Sequence, residues 1–222
     1  MKVNTNEYWE NRFKTFDWRS RMGPKQTNVH AKHYVKHLNI SRYFSGSILD
    51  FGCAEGDAFP IYKKCFPKAK LIGLDFSITA IKFAKEKYGD IAEFICGSID
   101  DVPVSDIIIS SHVFEHIENE ESYLNALLNK CRKLFIIVPY KEELGFIEHF
   151  RSYDENAYYN WNPKRFVIMK AGFNLSFIDI IFNIYIKDIF RPFFGRKIQR
   201  EPKQIMFEFE GNIKYSPMRF DS

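Results

Sequence analysis

The chain has 222 residues, of which 45% are hydrophobic and 17% aromatic, and it carries a net charge of +4 at pH 7. This length and apolar content suffice for one folded domain, so we expect a single domain over residues 1–222. The modest charge does not indicate a nucleic-acid partner. No apolar run reaches the roughly 18 residues that a membrane span requires, and residues 1–13 lack the apolar core of a signal peptide. The four cysteines show no C-x-x-C spacing, which favours free thiols in the reducing cytoplasm.

Two helices are predicted before the first strand. Aromatic residues recur at helical spacing within 4–18, which predicts the first helix. A polar, turn-rich link containing Gly23 follows. The second helix is predicted over 28–39, with Thr27 or Asn28 as its N-cap. Because both helices precede the first strand, we expect them to lie across the end of that strand as a lid.

Residues 48–57, ILDFGCAEGD, combine a strand, a turn and the start of a helix. The strand is short and apolar and is closed by Asp50, and Gly52 and Gly56 bracket the turn before a predicted helix over 57–66. Glycines let a backbone approach a ligand closely, and a helix N-terminus offers free N–H groups. The turn lacks the middle glycine of the NAD-binding G-x-G-x-x-G pattern, and no P-loop lysine follows it. This stretch therefore suits a nucleoside without a pyrophosphate.

Strands and helices alternate along the rest of the chain. Further strands are predicted over 71–74, 93–96, 106–113 and 134–138, and further helices over 78–88, 119–131 and 163–170. This alternation predicts an α/β fold with a parallel sheet. Two last β-like runs, 175–182 and 205–210, have no clear crossover helix between them, so we expect an antiparallel hairpin at one edge. The predicted division is a helical lid over 1–40, a ligand-binding core over 41–140, and substrate loops with the edge hairpin over 141–222.

Polar and aromatic residues follow the second and third strands. Asp75 ends the second strand, where a carboxylate can accept hydrogen bonds from both ribose hydroxyls of a nucleoside. Phe76 can pack against an adenine ring. The N–H of Ile99 and the side chain of Ser98 or Asp100 can bind the edge of the adenine. The alternative is that these acids lie in solvated surface loops.

Five motifs, in order, resemble those of the class I S-adenosylmethionine-dependent methyltransferases. ILDFGCAEGD resembles the first, D-x-G-x-G-x-G, with Ala54 at the middle glycine. The others are LIGLDFS at 71–77, FICGSIDDVP at 94–103, DIIISSHVFEHI at 106–117 and KLFIIVPY at 133–140. The resemblance implies a doubly wound, mostly parallel, seven-stranded Rossmann-like sheet, in which an antiparallel seventh strand lies between the fifth and sixth.

The resemblance also implies the cofactor, S-adenosyl-L-methionine, and its product, S-adenosyl-L-homocysteine. The reaction would be an in-line methyl transfer, in which alignment of donor and acceptor contributes more than a base, worth about 10²–10⁴-fold. The implied cofactor contacts are Asp50, Gly52, Cys53, Ala54, Gly56, Asp75, Phe76, Ser98, Ile99, Ser111 and His112.

Two histidines are candidates for the catalytic base. His112 stands just past the fourth strand, where donor and acceptor would meet, and His149 lies on a loop that can cover the same end. Histidine suits the role because its unperturbed pKa is about 6.5. The alternatives are that His112 touches only the cofactor and that His149 is a structural loop residue.

No metal is expected from the sequence, although one motif raises the question. His112, Glu115 and His116 form H-x-x-E-H, an inverted zinc-protease pattern. The pattern also resembles a metal site of some quinone-type O-methyltransferases, which have an acid in place of His112. The protease motif, however, belongs within a helix of another fold. We expect Glu115 and His116 instead to cap the next helix or to support neighbouring groups.

The acceptor is predicted to be a small molecule. Methyltransferases of nucleobase amino groups carry Asn/Asp-Pro-Pro-Tyr after the fourth strand, where this chain has SSHV at 110–113. Aromatic and basic residues of the lid, with one tyrosine after the fifth strand, can close a small pocket. The candidate substrate contacts are Tyr8, Trp9, Arg21 and Tyr140.

The leading hypothesis is O-methylation of a sugar or surface-glycan precursor. The basic segment 187–203 can recognise a phosphate on such a molecule, and the Lys-, Ile-, Phe- and Asn-rich composition is typical of an AT-rich bacterial genome. An N-methyltransferase acting on a small amine, a non-catalytic cofactor-binding module and an RNA methyltransferase remain as alternatives. The sequence does not indicate an oligomeric state.

Overall fold

The computed structural model of the protein describes residues 2–142, 148–171 and 203–214. The strands are β1 (Ser47–Phe51), β2 (Lys70–Asp75), β3 (Glu93–Cys96), β4 (Ser105–Ser111), β5 (Cys131–Pro139), β6 (Arg165–Lys170) and β7 (Lys203–Glu210). The helices are α1 (Asn6–Lys14), α2 (Asp17–Ser20), α3 (Gly23–Tyr34), α4 (Phe59–Cys65), α5 (Ile78–Tyr88) and α6 (Glu120–Leu128). No helix in the described part of the chain is long and apolar enough to cross a lipid bilayer.

The seven strands form one sheet in the order β3-β2-β1-β4-β5-β7-β6. The first five strands are parallel, whereas β7 runs antiparallel to both β5 and β6. The predicted α/β class and antiparallel edge are therefore confirmed, and the seventh strand lies between the fifth and sixth.

The central strands are buried on both faces, as a doubly wound sheet requires. Successive residues of β1 point to opposite faces, so Ile48 packs in one core and Leu49 in the other. The first core includes residues of α3, α4 and α5, and the second includes residues of α6. The two layers hold the carboxyl ends of β1, β2 and β4 side by side at one edge of the sheet.

The start of α5 follows the sequence prediction. Ser77 is the N-cap, and its hydroxyl accepts a hydrogen bond from the N–H of Ala80 at 3.0 Å. A serine cap satisfies one of the N–H groups that have no partner within the helix. The predicted helix over 78–88 is confirmed.

The N-terminal helices differ from the prediction at their boundaries. The predicted helix over 4–18 is divided between α1 and α2, because Phe16 takes a left-handed conformation with φ of +60°. The predicted turn-rich link is wrong, since α3 begins within it at Gly23. Pro24 occupies the first turn of α3, a position that proline favours because its fixed φ suits a helix and no N–H partner is lost. Thr27 and Asn28 therefore lie inside α3 and do not cap it.

The predicted helix over 163–170 is wrong, because Arg165–Lys170 is the edge strand β6. Its sequence, RFVIMK, is rich in β-branched and aromatic residues, which favour strands, and it pairs along its length with β7. Arg165 fixes this edge, since its Nε donates to Glu208 Oε2 at 2.6 Å and its Nη2 donates to the carbonyl oxygen of His37. The β-like run 175–182 lies outside the described residues.

The N-terminal helices are attached to the carboxyl edge of the sheet by polar contacts. Glu10 of α1 accepts hydrogen bonds from the Ser77 hydroxyl at 2.6 Å and from the Thr79 N–H at 3.3 Å. A carboxylate is stabilised at the N-terminus of α5 by the free N–H groups and by the helix dipole. Arg19 of α2 donates from Nε to both carboxylate oxygens of Glu55 at 2.9 Å. These contacts place α1 and α2 over the loop after β1.

Replacement of Glu208 by alanine tests the edge of the sheet. The side chain of Glu208 is only 3% exposed and pairs with both Lys133 and Arg165. Glu208→Ala leaves these two cations without their partner, so we expect unfolding free energy to fall by about 2 kcal/mol, less than for fully buried pairs because both cations are partly exposed.

The matched control is Glu210→Ala on the same strand. Glu210 pairs with Lys164 at the surface, where both side chains are more than half exposed, so its loss should cost at most about 1 kcal/mol. Denaturant unfolding of both variants measures the difference. Equal losses would contradict the greater contribution expected of the buried Glu208 pairs.

Candidate active site

The carboxyl ends of β1, β2 and β4 border a cavity of about 720 Å³. The order of the parallel strands reverses between β1 and β4, and ligands of such sheets bind in the crevice at this point. Residues of α1, α2 and α3 close one side of the cavity, and residues after β5, including Glu142, Glu148 and His149, close another. The volume falls within the range of small-molecule pockets, roughly 300–1,000 Å³.

The loop after β1 turns through left-handed backbone conformations. The φ values are +77° at Gly52, +48° at Ala54 and +80° at Gly56. A Cβ atom on Gly52 would lie 2.4 Å from Val113 Cγ2, so space as well as backbone conformation requires glycine there. The N–H of Gly52 donates to the carbonyl oxygen of Leu74 at 2.8 Å, which ties the loop to the end of β2.

The structure brings most of the predicted cofactor residues together at this cavity. It is lined by Asp50, Gly52, Cys53, Ala54, Asp75, Phe76, Ser98, Ile99, Ser111 and His112. Gly56 is the exception, because it lies behind the loop, where a Cβ atom would meet the ring of Phe94 at 3.1 Å. Gly56 therefore allows the turn but does not face the cavity.

Asp75 connects the two backbone segments that form the cavity wall. Its Oδ2 accepts from the N–H of Ala54 at 2.9 Å, and its Oδ1 accepts from the N–H of Ser77 at 2.9 Å. Burial raises the pKa of Asp75 to about 6, although these N–H groups oppose the rise and the charge of Glu10 adds to it. Phe76, beside it, is 37% exposed.

Residues after β3 form a single 3₁₀ turn, Ile99–Asp101, at the same cavity. Ser98 caps this turn, and its N–H and hydroxyl donate to Asp101 Oδ2 at 2.8 and 3.1 Å. The sequence prediction offered either Ser98 or Asp100 as the side chain that binds the edge of the adenine. In the structure Ser98 and Ile99 line the cavity and Asp100 does not, while Asp101 holds Ser98 in place.

Asp50 is a buried carboxylate at the end of β1. The Tyr62 hydroxyl donates to its Oδ2 at 3.1 Å, and Tyr62 in turn shares a hydrogen bond with the Tyr34 hydroxyl. Burial raises the pKa of Asp50 to about 7, the Tyr62 hydrogen bond opposes this, and the charge of Asp75 adds to it. Within the described residues Asp50 forms no ion pair with a basic side chain, so a cationic ligand group would relieve the cost of its burial.

His112 stands at the end of β4 with a left-handed φ of +56°. Its Nδ1 lies 3.2 Å from Glu115 Oε1, and its Nε2 lies 3.1 Å from Gln204 Oε1. The imidazole stacks on that of His30 with ring centroids 4.3 Å apart. Both nitrogens of His112 are therefore held by partners, and one partner is a carboxylate that is only 1% exposed.

The environments of the two stacked histidines shift their pKa values in opposite directions. Burial lowers the pKa of His112, but the hydrogen bonds and charge of Glu115 and the hydrogen bond of Gln204 outweigh it, so the net change is upward. Burial and the nearby charge of His112 both lower the pKa of His30 well below its ordinary value. The pKa values of the two stacked rings are therefore moved in opposite directions.

His149, the second base candidate, lies in a separate cluster with His116. Their rings are 4.8 Å apart, and Trp9 packs edge-on against His116 at 4.9 Å. The Nδ1 of His116 is 2.9 Å from the carbonyl oxygen of Glu148, and the Nδ1 of His149 contacts the carboxylate of Glu142. His149 thus shares the cavity with His112 but has different partners.

Of the two roles predicted for Glu115 and His116, capping of the next helix is wrong, whereas Glu115 does support a neighbouring group, His112. Both residues lie in a 3₁₀ turn, and α6 is capped by Asn119, whose side chain accepts from the N–H of Ser122 at 3.4 Å. The turn points Glu115 inward to His112. One ligand-type atom each of Glu115, His116 and His149 lies within 4.8 Å of the other two.

Three of the four predicted substrate residues line the cavity, namely Trp9, Arg21 and Tyr140. Tyr8 does not, because its hydroxyl donates to the Glu148 carboxylate. Tyr8 therefore helps to attach α1 to the chain after β5.

Sequence reasoning missed four side chains of the site, namely Arg12, His30, Glu148 and Gln204. Arg12 of α1 donates to Glu148 at 3.1 Å, and His30 and Gln204 contact His112 from α3 and β7. Gln204 is fully buried in β7 and directly precedes the apolar run Ile205–Phe207, and a polar residue beside such a run is a signal of function that the sequence offered. The other three carry no comparable local signal.

Comparisons with a protein-family model and with other protein sequences each find relatives of this chain. A family model described as a methyltransferase domain matches residues 45–196, more than half of the chain. A malonyl-[acyl-carrier protein] O-methyltransferase of Priestia megaterium is 28% identical over 130 residues, which are 50% of this chain and 45% of that protein. The chain thus matches about half the length of this curated relative.

Two solved structures share the fold at low sequence identity. The putative methyltransferase in complex with the Haloferax volcanii Trm112 activator has a TM-score of 0.65 and 14% identity, with 93% of this chain and 99% of that chain covered. The plantazolicin methyltransferase BpumL, in complex with S-adenosylhomocysteine, has a TM-score of 0.57 and 18% identity, with 89% of each chain covered. From the family match and this fold, the chain belongs to the class I S-adenosylmethionine-dependent methyltransferases, whose cofactor is S-adenosyl-L-methionine.

Proposed function

We propose that the protein methylates an oxygen atom of a small polar acceptor that binds in the cavity. The observation that supports this best is the division of the cavity wall. Two buried carboxylates, Asp50 and Asp75, lie on the side of β1 and β2, and His112 with its carboxylate partner Glu115 lies on the side of β4.

The carboxylate side has the hydrogen-bonding groups that the cofactor needs. Each oxygen of Asp75 accepts one backbone N–H and keeps a second lone pair for a ribose hydroxyl. Asp50, which lacks a cationic partner among the described residues, would accept the cofactor's ammonium group. Phe76 would pack on the adenine, and Ser98 and Ile99 would bind its edge.

The histidine side would bind and deprotonate the acceptor. When bound, S-adenosyl-L-methionine supplies an activated methyl group, which the acceptor oxygen takes by in-line displacement. Glu115 holds His112 through Nδ1, so a ring that released Gln204 would present Nε2 to the acceptor's proton. This is the arrangement of a histidine base oriented by a carboxylate. His149 is the second candidate for the base.

A hydroxyl group of a sugar or surface-glycan precursor remains our proposed acceptor. An amine is disfavoured, because amines are mostly protonated at neutral pH and a protonated amine has no lone pair to take the methyl group. A carboxylate acceptor is the second candidate, favoured by the action of the curated relative as an O-methyltransferase on malonyl-[acyl-carrier protein]. All four cysteines are free thiols, which supports a location in the cytoplasm.

Asp75→Ala tests the cofactor side. The variant removes an ionised hydrogen-bond acceptor for the ribose, worth roughly 1.5–3 kcal/mol per bond, so we expect affinity for S-adenosylhomocysteine to fall at least about tenfold. Isothermal titration calorimetry measures this change. Asp75→Asn, which keeps the shape of the side chain, shows whether charge or folding is responsible.

Asp90→Ala is the matched control, because Asp90 is exposed in a loop outside the cavity. Its affinity for S-adenosylhomocysteine should equal that of the parent. Parent-like affinity in folded Asp75→Ala would contradict the ribose assignment.

The raised pKa of Asp50 predicts how binding and stability depend on pH. The fold favours the protonated acid, so the stability contributed by Asp50 is present below its unfolded pKa of about 4 and is lost as pH rises through about 7. A cationic ammonium group favours the carboxylate instead. We therefore expect S-adenosylhomocysteine binding to strengthen between pH 6 and 8 and to release a proton, seen by calorimetry in buffers of different ionisation enthalpy.

Asp50→Asn separates the two effects. This variant should stabilise the ligand-free protein more at pH 8 than at pH 5. The difference in unfolding free energy should be about 1–4 kcal/mol, seen as a larger rise in melting temperature at pH 8. The variant should also remove the proton release. If parent and variant show the same pH dependence of both quantities, Asp50 does not hold the ammonium group.

His112→Ala tests the acceptor side. With a panel of sugar hydroxyl acceptors, turnover should fall by about 10²–10⁴-fold while S-adenosylhomocysteine affinity changes little. Carboxylate acceptors, which have no proton to lose at neutral pH, should be affected less. In the parent, turnover should rise with pH through an inflection above the usual histidine pKa, because Glu115 raises the pKa of His112. His33→Ala, outside the cavity lining, is the control. Near-parent rates in both His112→Ala and His149→Ala would exclude a histidine base.

A further inference from the structure

A cluster of metal-ligand side chains lies on one wall of the cavity. Glu115 and His116 come from the 3₁₀ turn after β4, and His149 comes from the chain after β5. One ligand-type atom from each lies within 4.8 Å of the other two. All three residues line the cavity, so a bound ion there would be open to small molecules.

Each histidine of the cluster is oriented by a hydrogen bond through Nδ1. The Nδ1 of His116 lies 2.9 Å from the carbonyl oxygen of Glu148, and the Nδ1 of His149 contacts the carboxylate of Glu142. Histidines that bind metals almost always donate one ring N–H to a backbone carbonyl or a carboxylate, which turns the other nitrogen toward the ion. Both kinds of supporting partner are present here.

Glu115 supplies an oxygen that the protein leaves without a partner. Its Oε1 accepts from His112 Nδ1 at 3.2 Å, whereas its Oε2 is buried and has no hydrogen-bond partner in the described part of the chain. A buried carboxylate oxygen without a partner is costly. A cation at the cluster would satisfy it.

We propose that Glu115, His116 and His149 bind one divalent cation of the zinc type and leave its fourth position open to the cavity. Two imidazoles and one carboxylate suit Zn²⁺ and related transition metals, whereas Mg²⁺ and Ca²⁺ prefer oxygen ligands. Three protein ligands with one open position are typical of catalytic rather than structural zinc sites. The expectation from sequence that the protein holds no metal would then be wrong.

The ligand set differs from the one that the H-x-x-E-H pattern suggests. His112 is taken out of the set, because Glu115 and Gln204 hold both of its nitrogens. His149 replaces it from a distant part of the chain. The pattern in sequence therefore marks two of the three ligands but not the third.

The open position has a use in the proposed reaction, and this part of the inference rests on the proposed function. An acceptor hydroxyl or carboxylate oxygen bound to the cation would be fixed beside His112, since Glu115 contacts His112 and belongs to the cluster. A bound cation also lowers the pKa of a coordinated hydroxyl. The ligand class of this site is thus an oxygen anion of the acceptor.

Metal titration of the ligand-free protein tests the site without an acceptor. After dialysis against a chelator, the parent should bind one equivalent of Zn²⁺ by calorimetry. With Co²⁺ it should show visible absorption bands of a four- or five-coordinate ion. His116→Ala and His149→Ala should weaken Zn²⁺ binding by at least about 100-fold, and Glu142→Gln, which removes only the partner of His149, by about 10–100-fold.

His33→Ala is the matched control, since His33 lies outside the cavity lining and should bind Zn²⁺ as the parent does. His149→Gln provides a second variant should the alanine change impair folding. Absence of Zn²⁺ binding by the parent, or parent-like binding by folded His116→Ala and His149→Ala, overturns the site. S-adenosylhomocysteine titration of the same samples is independent. Absence of S-adenosylhomocysteine binding by the parent would overturn the proposed function and not the metal site.

Discussion

The cavity depends on one carboxylate at the end of β2. The two oxygens of Asp75 accept N–H groups from Ala54 and Ser77, which joins the loop after β1 to the start of α5. The same helix end receives Glu10 of the N-terminal segment. One buried acid therefore joins the loop to α5, and the same end of α5 holds α1 through Glu10.

The cavity wall is divided by charge. Asp50 and Asp75 lie on one side and have pKa values raised by burial, so the empty protein is destabilised by them and a cationic, hydroxyl-rich ligand offsets that cost. The other side presents imidazoles, with His112 and His149 held by the carboxylates of Glu115 and Glu142. This division is the basis of our proposal that the cofactor binds on the first side and the acceptor on the second.

Local patterns predicted much of the sheet and of the cofactor side. The strand over Glu93–Cys96 and the cap at Ser77 were predicted as observed, because a short apolar run and a serine before a helical stripe are local signals. Arg165–Lys170 was not, since Pro163 is compatible with the first turn of a helix and six residues are too few for their strand-favouring composition to decide. Pairing with β7, more than thirty residues later in the chain, decided for a strand.

Local sequence patterns predicted less of the histidine side of the cavity than of the sheet. His30, from a helix whose start was misplaced, stacks on His112, and Gln204 reaches the same ring from the last described strand. Hydrogen-bond partners separated this far in sequence leave no spacing that could be recognised. Only the folded sheet brings them to one edge.

The sequence by itself determined the fold class, the glycine turn at Gly52 and the acid at Asp75, because strand periodicity, left-handed turns and the end of a strand are properties of neighbouring residues. The tertiary structure alone decided which groups surround His112 and that His149, rather than His112, joins Glu115 and His116. The physical reason is that side chains from distant segments become neighbours only when burial of the sheet's two faces fixes the strand order.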